Sequence, residues 1–109
     1  MGRGKASLFP KTARKLQLTG EQIKLARLRR HLTAEDVAKR ARISRITVGK
    51  IEKGDPSVSI GMYLSVLNVL GMQDDILLLA GNDTVGNTYR DLELITPKRV
   101  RKKTNDQKD

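Results

Sequence analysis

The segment LTAEDVAKRARISRITVGKIEKG, residues 32–54, predicts two short helices joined by a tight turn. Thr33 and Asp36 stand at capping-box spacing, so we expect the first helix to begin directly after Thr33. The hydroxyl of Ser44 is placed to cap a second helix, and Gly54 can take the left-handed conformation that ends it. Apolar residues recur at helical spacing on facing sides, namely Val37 and Ala41 against Val48 and Ile51. The segment therefore predicts a helix-turn-helix unit.

The outer face of the second helix is suited to reading bases in the major groove of DNA. Arg45 or Lys50 can hydrogen-bond guanine, Ile46 can contact a thymine methyl group, and Gly49 leaves room for close approach. The alternative is a pair of amphipathic helices from an all-α core whose charges are only solvated. The caps, the turn and the division into two faces favour DNA binding, with these four residues as base readers.

The same segment resembles the helix-turn-helix of the Xre, or lambda-repressor-like, family, over about residues 20–79. That family has an arginine in helix 1, Leu-Thr/Ser-Gln opening helix 2, Ala-Gly-Val-Ser at the turn and Ile-Glu-x-Gly closing helix 3. The corresponding residues here are Arg27, Leu32-Thr33-Ala34, Ala41-Arg42-Ile43-Ser44 and Ile51-Glu52-Lys53-Gly54. The resemblance implies an all-α fold, a compact five-helix DNA-binding domain.

By the same resemblance, Arg27 and Glu52 should form an ion pair between helix 1 and helix 3. The alternative is two unrelated surface charges, which would contribute little to stability if exposed.

Two positions depart from the family pattern. Ala34 replaces a glutamine that bonds a phosphate and braces the recognition helix, so that contact must be lost or replaced. Arg42 replaces a glycine at the turn, which predicts backbone strain or a modified turn, and an arginine there can gain a phosphate contact. The residues expected to lie against DNA phosphates are Thr33, Ala34, Arg42, Ser44, Thr47 and Lys53.

The charge of the chain is concentrated in its first half. The formal net charge is +10, with +11 on residues 1–53, −5 on residues 54–96 and +4 on residues 97–109. Such a distribution predicts a polyanionic partner and a steep dependence of binding on salt. An anionic membrane would need a strongly hydrophobic basic helix, which the chain lacks, and RNA recognition usually needs more aromatic residues than Phe9, Tyr63 and Tyr89.

The chain is expected to contain one small domain between charged tails. We expect a basic arm at residues 1–18, the helix-turn-helix domain at 19–81, a short extension at 82–96 and a disordered basic tail at 97–109. In the arm, Arg3 and Lys5 are candidates for the minor groove or for phosphate, the alternative being a functionally silent tail. The extension is ambiguous between a helical turn and a short strand, and is a possible dimer or partner contact.

Helix boundaries follow from local signals. Thr19 and Gln22 have capping-box spacing, so helix 1 is expected to start at Thr19, with a start near Thr12 as the alternative. Ser59 should cap helix 4, which ends at Gly71 and carries Ile60, Leu64 and Leu67 on one face, and helix 5 follows at about residues 73–80. Leu25 and Leu28 form a second apolar stripe on helix 1, which we expect the arm to cover through Leu16, Leu18 or Phe9, with a partner protein as the alternative.

Composition argues against an enzyme and against a membrane protein. One histidine and no cysteine leave neither a catalytic triad nor a thiolate or histidine-rich metal site, and no catalytic residue, metal or cofactor is predicted. The absence of cysteine fits a reducing cytoplasm, where the protein would associate with the nucleoid when bound to DNA. The sequence shows neither a secretory signal nor an apolar run long enough to span a bilayer.

The order of segments along the chain resembles the HipB-type antitoxins. The segments are the basic arm, KLARLRRHLTAEDVAKRA, GDPSVSIGMYLSVLNVLG, and DLELI before the basic tail. The resemblance implies autorepression of an operon and association with a HipA-family kinase toxin. Two-fold symmetry adds the expectation of a homodimer on an inverted-repeat operator. A stand-alone repressor or a bridging coactivator is the alternative.

Overall fold

The computed structural model describes residues 7–95, and this part of the chain is helical without strands. Its elements are α1 (Pro10–Arg29), α2 (Ala34–Ala41), α3 (Arg45–Glu52), α4 (Ile60–Val69), a 3-10 helix (Gln73–Leu78) and α5 (Thr84–Ile95). The all-helical class agrees with the sequence-based expectation. The type of the last two elements differs from the expectation. The expected fifth α-helix is a 3-10 helix, and the segment after it, which was ambiguous in the sequence, is α-helical. Arg3, Lys5 and the tail at 97–109 lie outside the described residues.

Helix α1 begins at Pro10, which is nine residues before the predicted start at Thr19 and close to the alternative start near Thr12, so the prediction of Thr19 was wrong. Pro10 occupies the first helical position, where its fixed φ suits the helix and its missing N–H is not needed. Inside the helix, the Thr19 hydroxyl donates to the carbonyl oxygen of Lys15 at 3.0 Å. Residues 10–18, expected to belong to the arm, are therefore helical.

The leucine stripe of α1 remains exposed. Leu25 and Leu28 are each 48% exposed. Leu16 and Leu18 belong to the same helix and cannot fold back over the stripe, while Phe9 is 83% exposed at the start of that helix. The expectation that these residues cover Leu25 and Leu28 was therefore wrong, because the chain that carries them is rigidly helical.

A small apolar core holds α1 to α4 together. Helix α3 packs on α1 and α2, and α4 packs on α2. The buried apolar side chains are Ile23, Ala26, Val37, Ala38, Val48, Ile51, Val66 and Leu70. The motif supplies its predicted inner residues, whereas α4 turns Val66 and Leu70 inward and leaves Ile60 63% exposed. Of the predicted apolar face of α4, Leu67 packs against the core whereas Ile60 does not, so that prediction was only partly correct.

Two glycines allow the backbones of α1 and α3 to touch. A Cβ on Gly20 would lie 2.6 Å from the carbonyl oxygen of Ile51 and 2.7 Å from that of Glu52. Gly54 takes a φ of +73°, and a Cβ there would lie 2.5 Å from the carbonyl oxygen of Leu16. Both positions require glycine because backbone occupies the space of a side chain. The contact sets the distance between α1 and the end of α3.

The chain divides into two compact units, residues 1–76 and 77–109. In the second unit, the Asp83 carboxylate accepts from the Gly86 backbone N–H at 2.7 Å, at the start of α5. Val85, Tyr89 and Leu92 recur at helical spacing on α5 and are all more than half exposed. Within residues 7–95, none of the helices combines the length and apolar character needed to cross a bilayer.

We expect Gly20→Ala to destabilise the fold by about 1–3 kcal/mol, because the added methyl would overlap the carbonyl oxygens at the end of α3. Alanine is the better helix former by about 1 kcal/mol, so helix propensity alone predicts the opposite sign. Urea denaturation followed by circular dichroism measures the difference. Gly61→Ala is the matched control, since its Cβ would meet only the Ser59 hydroxyl at 3.8 Å. Equal stabilisation by both substitutions would contradict the close α1–α3 contact.

Candidate nucleic-acid interface

Helix α2 begins with the predicted capping box. The Thr33 hydroxyl accepts from the Asp36 N–H at 2.9 Å, and the Asp36 carboxylate accepts from the Thr33 N–H at 2.9 Å. The hydrogen bond from the Thr33 backbone, and then that involving its side chain, lowers the pKa of Asp36 below its usual range. The pair satisfies two amide donors at the start of the helix and so fixes where α2 begins.

The turn between α2 and α3 contains the strain predicted at Arg42. This residue has φ 61° and ψ 42°, the left-handed conformation that favours glycine. The Arg42 N–H donates to the carbonyl oxygen of Lys39 at 3.3 Å, and the Ile43 N–H donates to that of Ala38 at 3.1 Å. These bonds close the end of α2, and they hold an arginine where the backbone costs about 1–2 kcal/mol.

Ser44 caps α3 as the sequence predicted. Its hydroxyl oxygen accepts from the Thr47 N–H at 3.0 Å and lies 2.8 Å from the Thr47 hydroxyl. The cap places Arg45 and Ile46 in the first turn of the helix, and this turn contains no acidic residue. The start of α3 is therefore free of negative charge that would repel DNA.

The four predicted base-reading residues share one surface of α3. Arg45 and Lys50 are exposed, Ile46 is 72% exposed, and Gly49 is partly exposed. On the opposite side of the helix, Val48 and Ile51 are fully buried. The outer surface is a shallow, predominantly apolar concavity that we call the α2–α3 notch, lined by Ala34, Arg45, Ile46, Gly49, Lys50 and Lys53.

The predicted phosphate-contacting residues divide between this notch and its surroundings. Ala34 and Lys53 line the notch together with the base readers. Thr33, Arg42 and Ser44 are exposed at the start of α2 and around the turn, outside the notch lining. Thr47 is half-buried with its hydroxyl beside that of Ser44. The structure thus brings only part of the predicted set into one concave surface.

Arg27 and Glu52 form a buried link between α1 and α3. Arg27 donates through Nε to Glu52 Oε2 at 2.7 Å and through Nη2 to Oε1 at 3.1 Å. Its Nη1 donates to the carbonyl oxygen of Leu32 at 2.9 Å. The side chains of the pair are only 11% and 9% exposed. The hydrogen bond to Glu52 raises the pKa of Arg27 and outweighs the opposing effect of burial.

A tyrosine that sequence reasoning left unassigned supports the segment after α3. The Tyr63 hydroxyl donates to the carbonyl oxygen of Asp55 at 2.9 Å. Burial, followed by the charge of Asp55, raises the pKa of Tyr63 above its usual value. The Asp55 carboxylate accepts from the N–H and the hydroxyl of Ser57 at 2.8 and 2.7 Å. The sequence Asp-Pro-Ser is a signal for such a turn, but no local pattern indicates the bond from Tyr63.

We expect Glu52→Ala to destabilise the fold by about 3 kcal/mol, because it leaves the Arg27 guanidinium buried without its anion. Glu21→Ala is the matched control, since Glu21 lies 3.7 Å from Arg14 in a pair whose side chains are 57% and 58% exposed. Its loss should cost less than about 1 kcal/mol. Urea denaturation of both variants measures the contrast. Similar losses in the two would show that Arg27 and Glu52 do not brace α3.

Comparison with known proteins identifies the family to which this motif belongs. Residues 19–79 match the protein family described as "Helix-turn-helix domain". Among solved structures, the chain is similar to the crystal structure of the clp gene regulator ClgR from Corynebacterium glutamicum, with a TM-score of 0.51 and 24% sequence identity. The similarity covers 76% of this chain and 95% of that chain, and at this identity it shows a shared fold. None of the curated proteins compared with the chain matches it.

Proposed function

We propose that this chain, which belongs to the helix-turn-helix domain family, is a DNA-binding transcriptional regulator that recognises a specific double-stranded operator through α3. The observation that carries the proposal is the outer face of this helix. Arg45, Ile46, Gly49 and Lys50 converge there while Val48 and Ile51 anchor the inner face in the core. A helix held from one side can enter the major groove with the other.

The chemistry of that face matches base edges. Arg45 and Lys50 supply hydrogen-bond donors for guanine, and the acceptors of guanine lie in the major groove. The lining of the notch contains three cationic residues and no carboxylate. The +11 charge of residues 1–53 would add a non-specific attraction to phosphate and a strong salt dependence.

Contacts with the phosphate backbone of DNA would position α3 in the major groove. Thr33 and Ser44 are exposed at the starts of α2 and α3, and Arg42 is exposed at the turn between them. In the proposal these residues, with Thr47 and Lys53, lie against phosphates on either side of the bases that α3 reads. Arg3 and Lys5 would extend the contact from the arm.

Binding as a homodimer to an inverted repeat follows from the size of the reading surface. Helix α3 has eight residues, so one copy contacts few base pairs, and a two-fold dimer doubles the contact. The second unit offers apolar surface for association, with exposed Leu77, Leu78, Leu79, Val85, Tyr89 and Leu92. We assign the dimer or partner contact to the extension at residues 82–96.

We further propose that the protein is the antitoxin of a toxin-antitoxin operon. The resemblance to HipB-type antitoxins supports a cytoplasmic protein that represses its own operon and binds a HipA-family kinase through a surface separate from α3. A stand-alone repressor or a bridging coactivator is the second candidate, supported by the same motif without the kinase.

We expect Arg45→Ala to cost about 1–3 kcal/mol of binding free energy at the operator and little on random DNA, because Arg45 contacts a base edge. The operator is first enriched from random-sequence duplexes with the purified chain, and both affinities are then measured by fluorescence anisotropy. Arg29→Ala at the end of α1, an exposed arginine outside both the motif and the extension at residues 82–96, is the control. An equal loss on both kinds of DNA would identify Arg45 as a phosphate contact. The enriched duplexes also report whether the operator is an inverted repeat.

The antitoxin role makes a separate prediction. A HipA-family kinase encoded beside this gene should co-purify with the full chain, and Arg45→Ala should retain the kinase while losing the operator. Tandem affinity purification followed by operator binding of the complex measures both properties. If the kinase neither co-purifies nor changes the affinity for DNA, the stand-alone repressor becomes the better assignment.

A further inference from the structure

No close packing contact among the described residues explains why position 49 has a glycine and not a larger residue. It lies in the middle of α3, and a Cβ there would meet no described atom within 4 Å. Gly20 and Gly54, by contrast, are required by backbone contacts. A glycine inside a helix costs about 1 kcal/mol relative to alanine. The cost at Gly49 is not offset by a close contact among the described residues, and the space beside it is open to a partner that approaches from outside.

The open space at Gly49 belongs to the α2–α3 notch. Ala34, the residue that replaces the glutamine of the Xre-like pattern, lines the same notch from the start of α2. Ile46 lies beside them with 72% of its surface exposed. The notch thus combines the two smallest lining residues and a largely exposed isoleucine with three cationic residues, Arg45, Lys50 and Lys53.

An apolar depression among cations fits one feature of double-stranded DNA. The only apolar group that base pairs present in the major groove is the methyl group at C5 of a pyrimidine. The lining cations suit phosphates and base acceptors, whereas the polar edge of a guanine or cytosine would lose its hydration against the apolar part of the lining without gaining a hydrogen bond. We propose that the α2–α3 notch receives a pyrimidine C5-methyl group against Ile46, with Ala34 and Gly49 as specificity-determining positions.

This inference rests on the proposed operator binding and deepens it. It moves Ala34 from the phosphate contacts to base recognition. The space left by the missing glutamine then becomes part of the reading surface. One methyl group buried in this way should change affinity about fourfold, the equivalent of about 0.8 kcal/mol.

The first test replaces each thymine of the enriched operator singly by deoxyuridine, which removes only the methyl group. With the unaltered chain, one position in each half-site should weaken binding about fourfold. Ile46→Ala should bind the thymine and uracil duplexes equally. Ile60→Ala, an isoleucine 63% exposed outside the motif, should keep the difference. If selection instead enriches cytosine at that position, 5-methylcytosine should bind about fourfold tighter, which would identify methylated DNA as the source of the group.

The second test uses Gly49→Ala, which fills the notch without touching the rest of the chain. We expect the melting temperature to rise by a few degrees and the affinity for the thymine operator to fall about tenfold, with the thymine–uracil difference lost. A merely structural role for Gly49 would not give these opposite signs.

Two outcomes separate the inference from the function on which it rests. Indifference of the unaltered chain both to uracil in place of thymine and to 5-methylcytosine in place of cytosine at every position, with operator binding intact, would overturn the methyl site alone. Wild-type operator affinity in Gly49→Ala would do the same. Failure of the selection to enrich any duplex would overturn operator binding and the methyl site together.

Discussion

The ion pair between Arg27 and Glu52 is the interaction on which the placement of α3 depends. Burying two charges is costly, and it is tolerated only where the remaining hydrogen-bonding groups are satisfied. Here the guanidinium also donates to the carbonyl oxygen of Leu32, so one side chain joins α1, the segment before α2 and the end of α3. Gly20 and Gly54 bring the backbones together beside it. The C-terminal end of α3 is thereby fixed, and its outer face stays clear.

Several residues around α3 are locally unfavourable, and all of them lie on the side away from the core. Arg42 holds a left-handed backbone, Gly49 weakens the helix, and Ile46 exposes most of its apolar surface. Natural sequences break local rules mainly where function requires it. On the inner face, Val48 and Ile51 are fully buried, and the charge of Glu52 is paired with that of Arg27. The division of α3 into a favourable and an unfavourable face is itself an argument that the outer face serves a partner.

The sequence predicted the elements that depend on local interactions and failed where packing decides. The caps at Thr33, Ser44 and Ser59 were predictable, since each joins a side chain to a backbone amide three residues on. The same spacing at Thr19 gave a wrong helix start, because Pro10 and the helix-forming residues after it start α1 earlier. The inward face of α4 could not be derived from periodicity, because apolar residues surround that helix. The α2–α3 notch was equally hidden, since it joins Ala34 to residues at least eleven positions later.

The other contacts that hold α3 in place explain why position 34 can carry an alanine where the family pattern has a glutamine. In the family that the motif resembles, a glutamine at this position contacts phosphate and braces the recognition helix. Here α3 is braced from the core side by Glu52 and Gly54, and at its start by Ser44 with Thr47. A side-chain brace from α2 is then unnecessary for holding the helix. Without a glutamine at position 34 the surface between the two helices is open, and it is at this surface that we propose contact with bases.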